Sequence, residues 1–242
     1  MTNTFILFQN RINKNIKYFA FTLAETLIVM GIIGVIAALT IPSLTNQTSD
    51  KQKVAKVKKV YSVLCDAMGR AIGTYGEFEN WFDANTSNSD ATKILCSRLL
   101  SSMKTVKSKN EDGVCEIVLA DNTTIAPSVY FDENINDVVI GMYLDPKKIA
   151  NGNEPILGKD WFQFNIDSKG DVYPYLGDTK SQDLIKTEDA FKNTCLKKTN
   201  SGDYICASFW IINYGNMDYL KLDDNGKCPD GKQLSMKVTQ CD

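Results

Sequence analysis

Ala20-Phe21-Thr22-Leu23-Ala24-Glu25-Thr26-Leu27-Ile28-Val29-Met30-Gly31-Ile32-Ile33-Gly34-Val35-Ile36-Ala37-Ala38-Leu39-Thr40-Ile41-Pro42-Ser43-Leu44 is the stretch around which the chain is organised. From Thr26 to Leu44 nineteen residues pass without a charge. As a helix rising about 1.5 Å per residue they cover roughly 28 Å, close to the hydrocarbon thickness of a bilayer. One acid, Glu25, lies just before this run. A carboxylate there is costly in lipid unless it is paired or stays at the interface, which makes Glu25 a functional candidate. The plainer alternative is an anchor whose Glu25 reaches the headgroups.

Working outward, residues 1–20 carry Arg11, Lys14 and Lys17 and no acid. They read as a cytoplasmic leader. The order is not that of an ordinary secretory signal, because the apolar run follows the small-residue site instead of preceding it. Removing residues 1–20 leaves 24 bases against 29 acids, a net charge of −5. That mild acidity argues against wholesale coating of nucleic acid. The chain has no histidine, which excludes Ser-His-Asp and Cys-His catalysis and histidine metal sites. No Gly-rich phosphate loop, paired carboxylate motif or activated nucleophile is visible, and the chain does not read as an enzyme.

Past the apolar run, Val54, Val57, Tyr61, Leu64, Met68 and Ile72 recur three or four apart, so a helix continues with one apolar face. Gly69, Gly73 and Gly76 place its end near residue 75. Lys51, Lys53, Lys56, Lys58 and Lys59 form a basic cluster on the other faces. A solvated face or contact with lipid phosphates is the bland account, and DNA phosphates are the sharper one. Charge counting alone would put this lysine-rich flank in the cytoplasm.

Ser89-Asp90 suggests a cap for a second helix over 92–106. The period then shortens to that of strands: 115–120, 123–126, 138–144, 161–166, 171–175, 204–212 and 219–222. Asp121-Asn122, Ser168-Lys169-Gly170 and Ser201-Gly202-Asp203 read as hairpin turns, and Thr187–Thr194 as one more helical turn. The expected fold is therefore α+β, a long N-terminal helix packed on a C-terminal antiparallel sheet. Trp81, Trp161 and Trp210 read as core or subunit contacts in preference to a stacking surface for bases.

Seven cysteines all lie after the apolar run, which fits a head exported into an oxidising compartment. Cys195/Cys206 and Cys228/Cys241 could each close a small loop. Cys96/Cys115 or Cys65/Cys96 would be a third pair, and one thiol is left over. The segment 165–171 fails as an EF-hand, since Lys169 and Leu176 occupy ligand positions. From the residues alone Asp223, Asp224 and Asp230 read as ordinary solvated turns, and no cofactor is expected.

Ala20-Phe21-Thr22-Leu23-Ala24-Glu25, the apolar run and Pro42 together resemble the processing site of type IV prepilins and of type II secretion pseudopilins. The resemblance implies cutting of the Ala20–Phe21 bond by a prepilin peptidase, then N-methylation of Phe21. It makes Glu25 the fifth mature residue and Pro42 the twenty-second. The family usually has Gly before the cut, where this chain has Ala20. Residues 119–124, 151–160 and 206–219 are similar to heads of bacterial prepilin-like proteins. Some heads of that family bind calcium at acidic loops, and by the resemblance alone Asp223, Asp224 and Asp230 stay as candidates for a structural calcium. The implied organisation is a leader (1–20), a transmembrane and assembly helix (21–46) and an exported pilin-like head (47–242) that includes the amphipathic second half of the long helix. The implied localisation is the inner membrane, single-pass, and then a filament in the periplasm or at the cell surface. The implied function is that of a pilin or pseudopilin, with the peptidase and other subunits as partners and Glu25 paired to a neighbouring Phe21 amine. The alternative is a minor pilin-like binding module whose head captures DNA, a surface or exported cargo.

Overall fold

The computed structural model describes residues 22–83, 85–132, 135–144, 154–176, 187–199 and 202–241, with the backbone alone for 41–47, 131, 132 and 135–137. The leader, the Ala20–Phe21 bond, Ser201 and residues 151–153 lie outside this description. The chain is α+β. An N-terminal helix, α1 (Leu23–Tyr75), is followed by α2 (Asn88–Ser102) and a six-stranded antiparallel sheet. Two compact units divide at Asn46/Gln47.

In the first unit, Leu23–Thr40 has a mean hydropathy of 2.2 and none of it is buried within the chain. Its length and composition suffice to cross a membrane, as those of an anchor or a signal sequence do.

In the second unit, α1 is amphipathic. Val57, Val60, Leu64, Ala67, Met68 and Ala71 are all 1 % exposed or less. The buried stripe is rotated slightly from the one expected: Val54, Tyr61 and Ile72 are its half-buried rims, and two alanines lie in its centre. The helix stops at Gly76, whose φ of +85° is the left-handed conformation that glycine adopts at low cost, and whose N–H bonds Ile72 O at 2.9 Å.

The sheet is a meander in sequence order: β1 (Lys107–Glu111), β2 (Val114–Val118), β3 (Thr124–Asp132), β4 (Ile135–Tyr143), β5 (Trp161–Ile166) and β6 (Val172–Pro174). Alternation places Cys115, Ile117, Ile125, Val129, Val138, Ile140, Met142, Phe162, Phe164 and Ile166 in the core. Tyr61 of α1 stacks on Phe164, with ring centroids 5.8 Å apart. Among the described residues only Ile125 and Thr124 of β3 pair with β2, and the rest of that side of β3 has no strand neighbour there. Two features accommodate this. Pro127 has no N–H to leave unpaired, and the Val129 N–H donates to Thr92 Oγ1 of α2 at 3.0 Å.

α2 begins four residues before the expected start. Ser87 is the cap, its hydroxyl accepting from Asp90 N at 3.1 Å and donating to the Asp90 carboxylate at 2.7 Å. Its end is correspondingly earlier, and Val106 lies beyond the helix, 71 % exposed. Strand β1 was not anticipated, because Lys-Ser-Lys-Asn-Glu has no apolar alternation. It is held by its ladder to β2 through the turn Asp112-Gly113, both residues at positive φ.

The expected strand at 204–212 is a helix, here α4 (Ala207–Tyr214), after α3 (Glu188–Cys195), which Thr187 caps. A short apolar run does not distinguish strand from helix by composition. Here Ala207, Ser208, Trp210 and Ile211 are buried, which is helical spacing, and Gly215 closes the helix onto Ile211 O at 3.0 Å. Residues 219–222 likewise fall in a 3-10 turn, Asp218–Lys221, instead of a strand. Gly202 and Asp203 close a turn back onto Thr199, but the flanking elements are α3 and α4, so it is not a hairpin.

Three disulfides staple the unit. Cys96–Cys115 joins α2 to β2, Cys195–Cys206 joins the end of α3 to the start of α4, and Cys228–Cys241 closes the last segment. Cys65 is free and exposed.

Candidate functional site

Glu25 lies in the first turn of α1. Its carboxylate accepts from Thr22 N at 2.8 Å and from Thr22 Oγ1 at 2.9 Å, while the Glu25 N–H bonds Thr22 Oγ1 at 3.2 Å. This is a reciprocal cap, with Thr22 and Glu25 three apart each satisfying an orphan donor of the other. The Thr22-Leu23-Ala24-Glu25 spacing carried that signal in the sequence, and the expectation of an intersubunit role had passed it over. Both bonds from Thr22 go to Oε2, and an ionised carboxylate has about four acceptor positions, so the cap leaves Oε1 able to take another donor. The backbone at Pro42 continues within α1. Ala20 and Phe21 are outside the described residues.

The lysine cluster divides on the structure. Lys51, Lys58 and Lys59 are exposed, whereas Lys53 and Lys56 are half-buried. Lys59 pairs with Asp121 at 2.9 Å, and Lys56 Nζ donates to Asp121 O at 3.4 Å. Asp121 sits in the β2–β3 turn, so these contacts fasten α1 to the sheet. Partial burial pushes the Asp121 carboxyl up, but the Lys59 ammonium and donors from Thr123 outweigh it and hold the group at about 2. The positive face is thus partly neutralised by the protein itself.

At the far end of α1, Arg98 of α2 lies over the rings of Trp81 (4.4 Å) and Tyr75 (5.2 Å), and Arg70 Nε donates to Ser102 O at 2.9 Å. Trp81 and Trp210 are buried, and Trp161 is half-buried against Tyr143. Trp210 stacks with Phe191 and donates to Asn216 Oδ1 at 2.8 Å.

Of the three calcium candidates, Asp223 and Asp230 organise their own turns. Asp223 Oδ1 accepts from Asn225 N and Lys227 N, and Asp230 accepts from Lys232 N and pairs with its ammonium at 3.1 Å. Among the described residues no three His, Cys, Asp or Glu side chains gather in a metal-binding group. Although the Cys65 residue is exposed, desolvation of its thiol pushes it up from the ordinary thiol value.

No protein-family model matches the chain, and neither does any curated protein or solved structure.

Proposed function

We propose that the chain is a structural subunit of a type IV pilus-like or type II secretion filament. In this reading a prepilin peptidase cuts it at Ala20–Phe21, Phe21 is N-methylated, and the unit after Asn46 is exported while α1 holds it in the inner membrane. The observation that carries the proposal is the unburied apolar span Leu23–Thr40, whose one acid, Glu25, falls in the first turn of the helix. The three disulfides of the second unit support export, since such bonds persist in oxidising compartments.

The mechanism follows from burial. In the membrane the apolar half of α1 is solvated by lipid. On assembly it exchanges lipid for the same helix of neighbouring subunits. The open oxygen of Glu25 then accepts the methylated amine of an adjacent Phe21, which spares both charges from an unpaired state in a dry core and sets axial register. The Thr22 cap holds the carboxylate in place for that contact.

Intact-mass and N-terminal peptide analysis of the cellular protein tests processing: a mature chain starting at methylated Phe21 is expected, and a stable chain still starting at Met1 beside an active peptidase refutes it. Assembly is tested by sheared-filament yield relative to mature membrane-bound protein. Glu25→Gln keeps an acceptor for the helix cap and removes the charge. Pairing requires incorporation to fall in Glu25→Gln and further in Glu25→Ala, with cleavage intact in both. A purely local cap requires Glu25→Gln to assemble normally and Thr22→Val to fail with Glu25→Ala.

A further inference from the structure

Ser49, Gln52, Lys53 and Lys56 follow one another at helical spacing on a single face of α1. Facing them are Leu144, just past β4, and Lys159 and Asp160 of the turn before β5. Together these seven residues enclose a cleft of about 180 Å³. The Leu144 N–H is tied to Asp160 O at 3.1 Å and the Asp160 carboxylate accepts from Ile156 N at 3.3 Å, so the wall opposite α1 is fixed by the backbone. Among the described residues three ammonium groups and one carboxylate line the cleft, a surplus of positive charge. Neither Lys53 nor Lys56 pairs with a carboxylate among the described residues. Both are half-buried, and Lys56 Nζ also donates to Asp121 O at 3.4 Å.

We propose that this cleft holds the phosphate of an anionic lipid headgroup. The donors suit one phosphate: lysine ammoniums as point charges, with the Ser49 hydroxyl and the Gln52 amide as neutral donors. Leu144 gives the cleft an apolar surface for the glycerol carbons. Ser49, the first residue of the cleft, lies nine residues after Thr40, the last of the apolar span. The proposal rests on the membrane-anchor part of the reading above and not on filament assembly.

The test uses the full chain in nanodiscs of phosphatidylcholine alone or with phosphatidylglycerol. Acetylation rates of single lysines are read by peptide mass spectrometry. Phosphatidylglycerol is expected to slow Lys53, Lys56 and Lys159 by about fivefold, on the scale of one lysine near an anionic surface. The exposed Lys227 and Lys237 serve as references and should not change. In the double variant Lys53→Gln/Lys159→Gln the protection of Lys56 should vanish, while Lys51→Gln/Lys58→Gln should retain it. Equal loss in both double variants means a diffuse basic surface and overturns the cleft. Equal acetylation in the two discs overturns the proposal outright. Protection by inorganic phosphate alone in phosphatidylcholine discs assigns the cleft to a free phosphate, and protection by duplex DNA alone assigns it to nucleic acid; either result overturns the lipid assignment. Failure of the chain to enter either disc removes the anchor, and the proposal with it, a result distinct from equal acetylation of an inserted chain.

Discussion

Cutting the disulfides should nearly exhaust the stability of the second unit. The bridges close loops of 19, 11 and 13 residues, and the loops follow one another in sequence without nesting. Their closure entropies therefore add. In the chain-entropy account each loop of this size contributes about 3 kcal/mol, together about 9 kcal/mol, within the range of 5–15 kcal/mol that is the whole net stability of an ordinary domain. The perturbation is first the pair Cys195→Ser/Cys206→Ser, then full reduction. Tryptophan fluorescence during urea unfolding in detergent reports on the unit, because Trp81, Trp161 and Trp210 all lie in it. With a slope of about 2 kcal/mol/M, loss of one bridge should lower the midpoint by about 1.5 M, and full reduction should leave little cooperative transition. Thiol titration in denaturant provides the control: one reactive thiol, Cys65, before reduction and seven after. Midpoints that agree within about 0.3 M between wild type, the double variant and the reduced chain would refute the reasoning, since the core alone would then be holding the fold.

The Lys59–Asp121 pair sets a pH dependence. The folded carboxyl lies at about 2 against an ordinary 3.8, so its contribution is present above about pH 4 and is lost as pH falls from there toward 2. Both partners are partly exposed, which screens the pair to about 1 kcal/mol; Asp121→Asn should cost that at pH 7 and only a small part of it at pH 2, where the folded carboxyl is half protonated, as read by urea midpoints. Leu64→Ala removes a fully buried side chain from the centre of the α1 stripe and should cost about 2–5 kcal/mol in the same assay. Thr92→Val keeps the shape but strands the buried Val129 N–H, for a loss of about 1–3 kcal/mol, and Thr92→Ser should restore most of it.

How far the sequence could be read depended on the range of the determining contacts. The α1 helix, the central strands and the turn at Asp121-Asn122 follow from period and local turn chemistry. β5 at Trp161–Ile166 coincides with its apolar run. The helix at Ala207–Tyr214 was misread because Phe-Trp-Ile-Ile suits either state in isolation, and tertiary packing decided it. β1 was missed because a polar edge strand carries no apolar period, although Asp112-Gly113 announced its hairpin. For the candidate sites, the Thr22–Glu25 cap was available locally. The meeting of Lys53 and Lys56 with Lys159 was not, because about a hundred residues and the sheet meander intervene.

The placement of the buried stripe on α1 has a consequence for timing. Synthesis runs from the N-terminus, so Val57, Leu64 and Met68 leave the ribosome well before the strands that cover them. About a hundred residues separate Tyr61 from its stacking partner Phe164. At about 5–20 residues per second, the stripe waits roughly 5–20 s without its partner, far longer than an amphipathic helix needs to form. During that interval the nascent chain presents an apolar ridge to its surroundings until the meander is complete. Delay between the two halves of the message, by rare codons placed between residues 76 and 160, should therefore raise aggregation without changing a single residue of the finished protein.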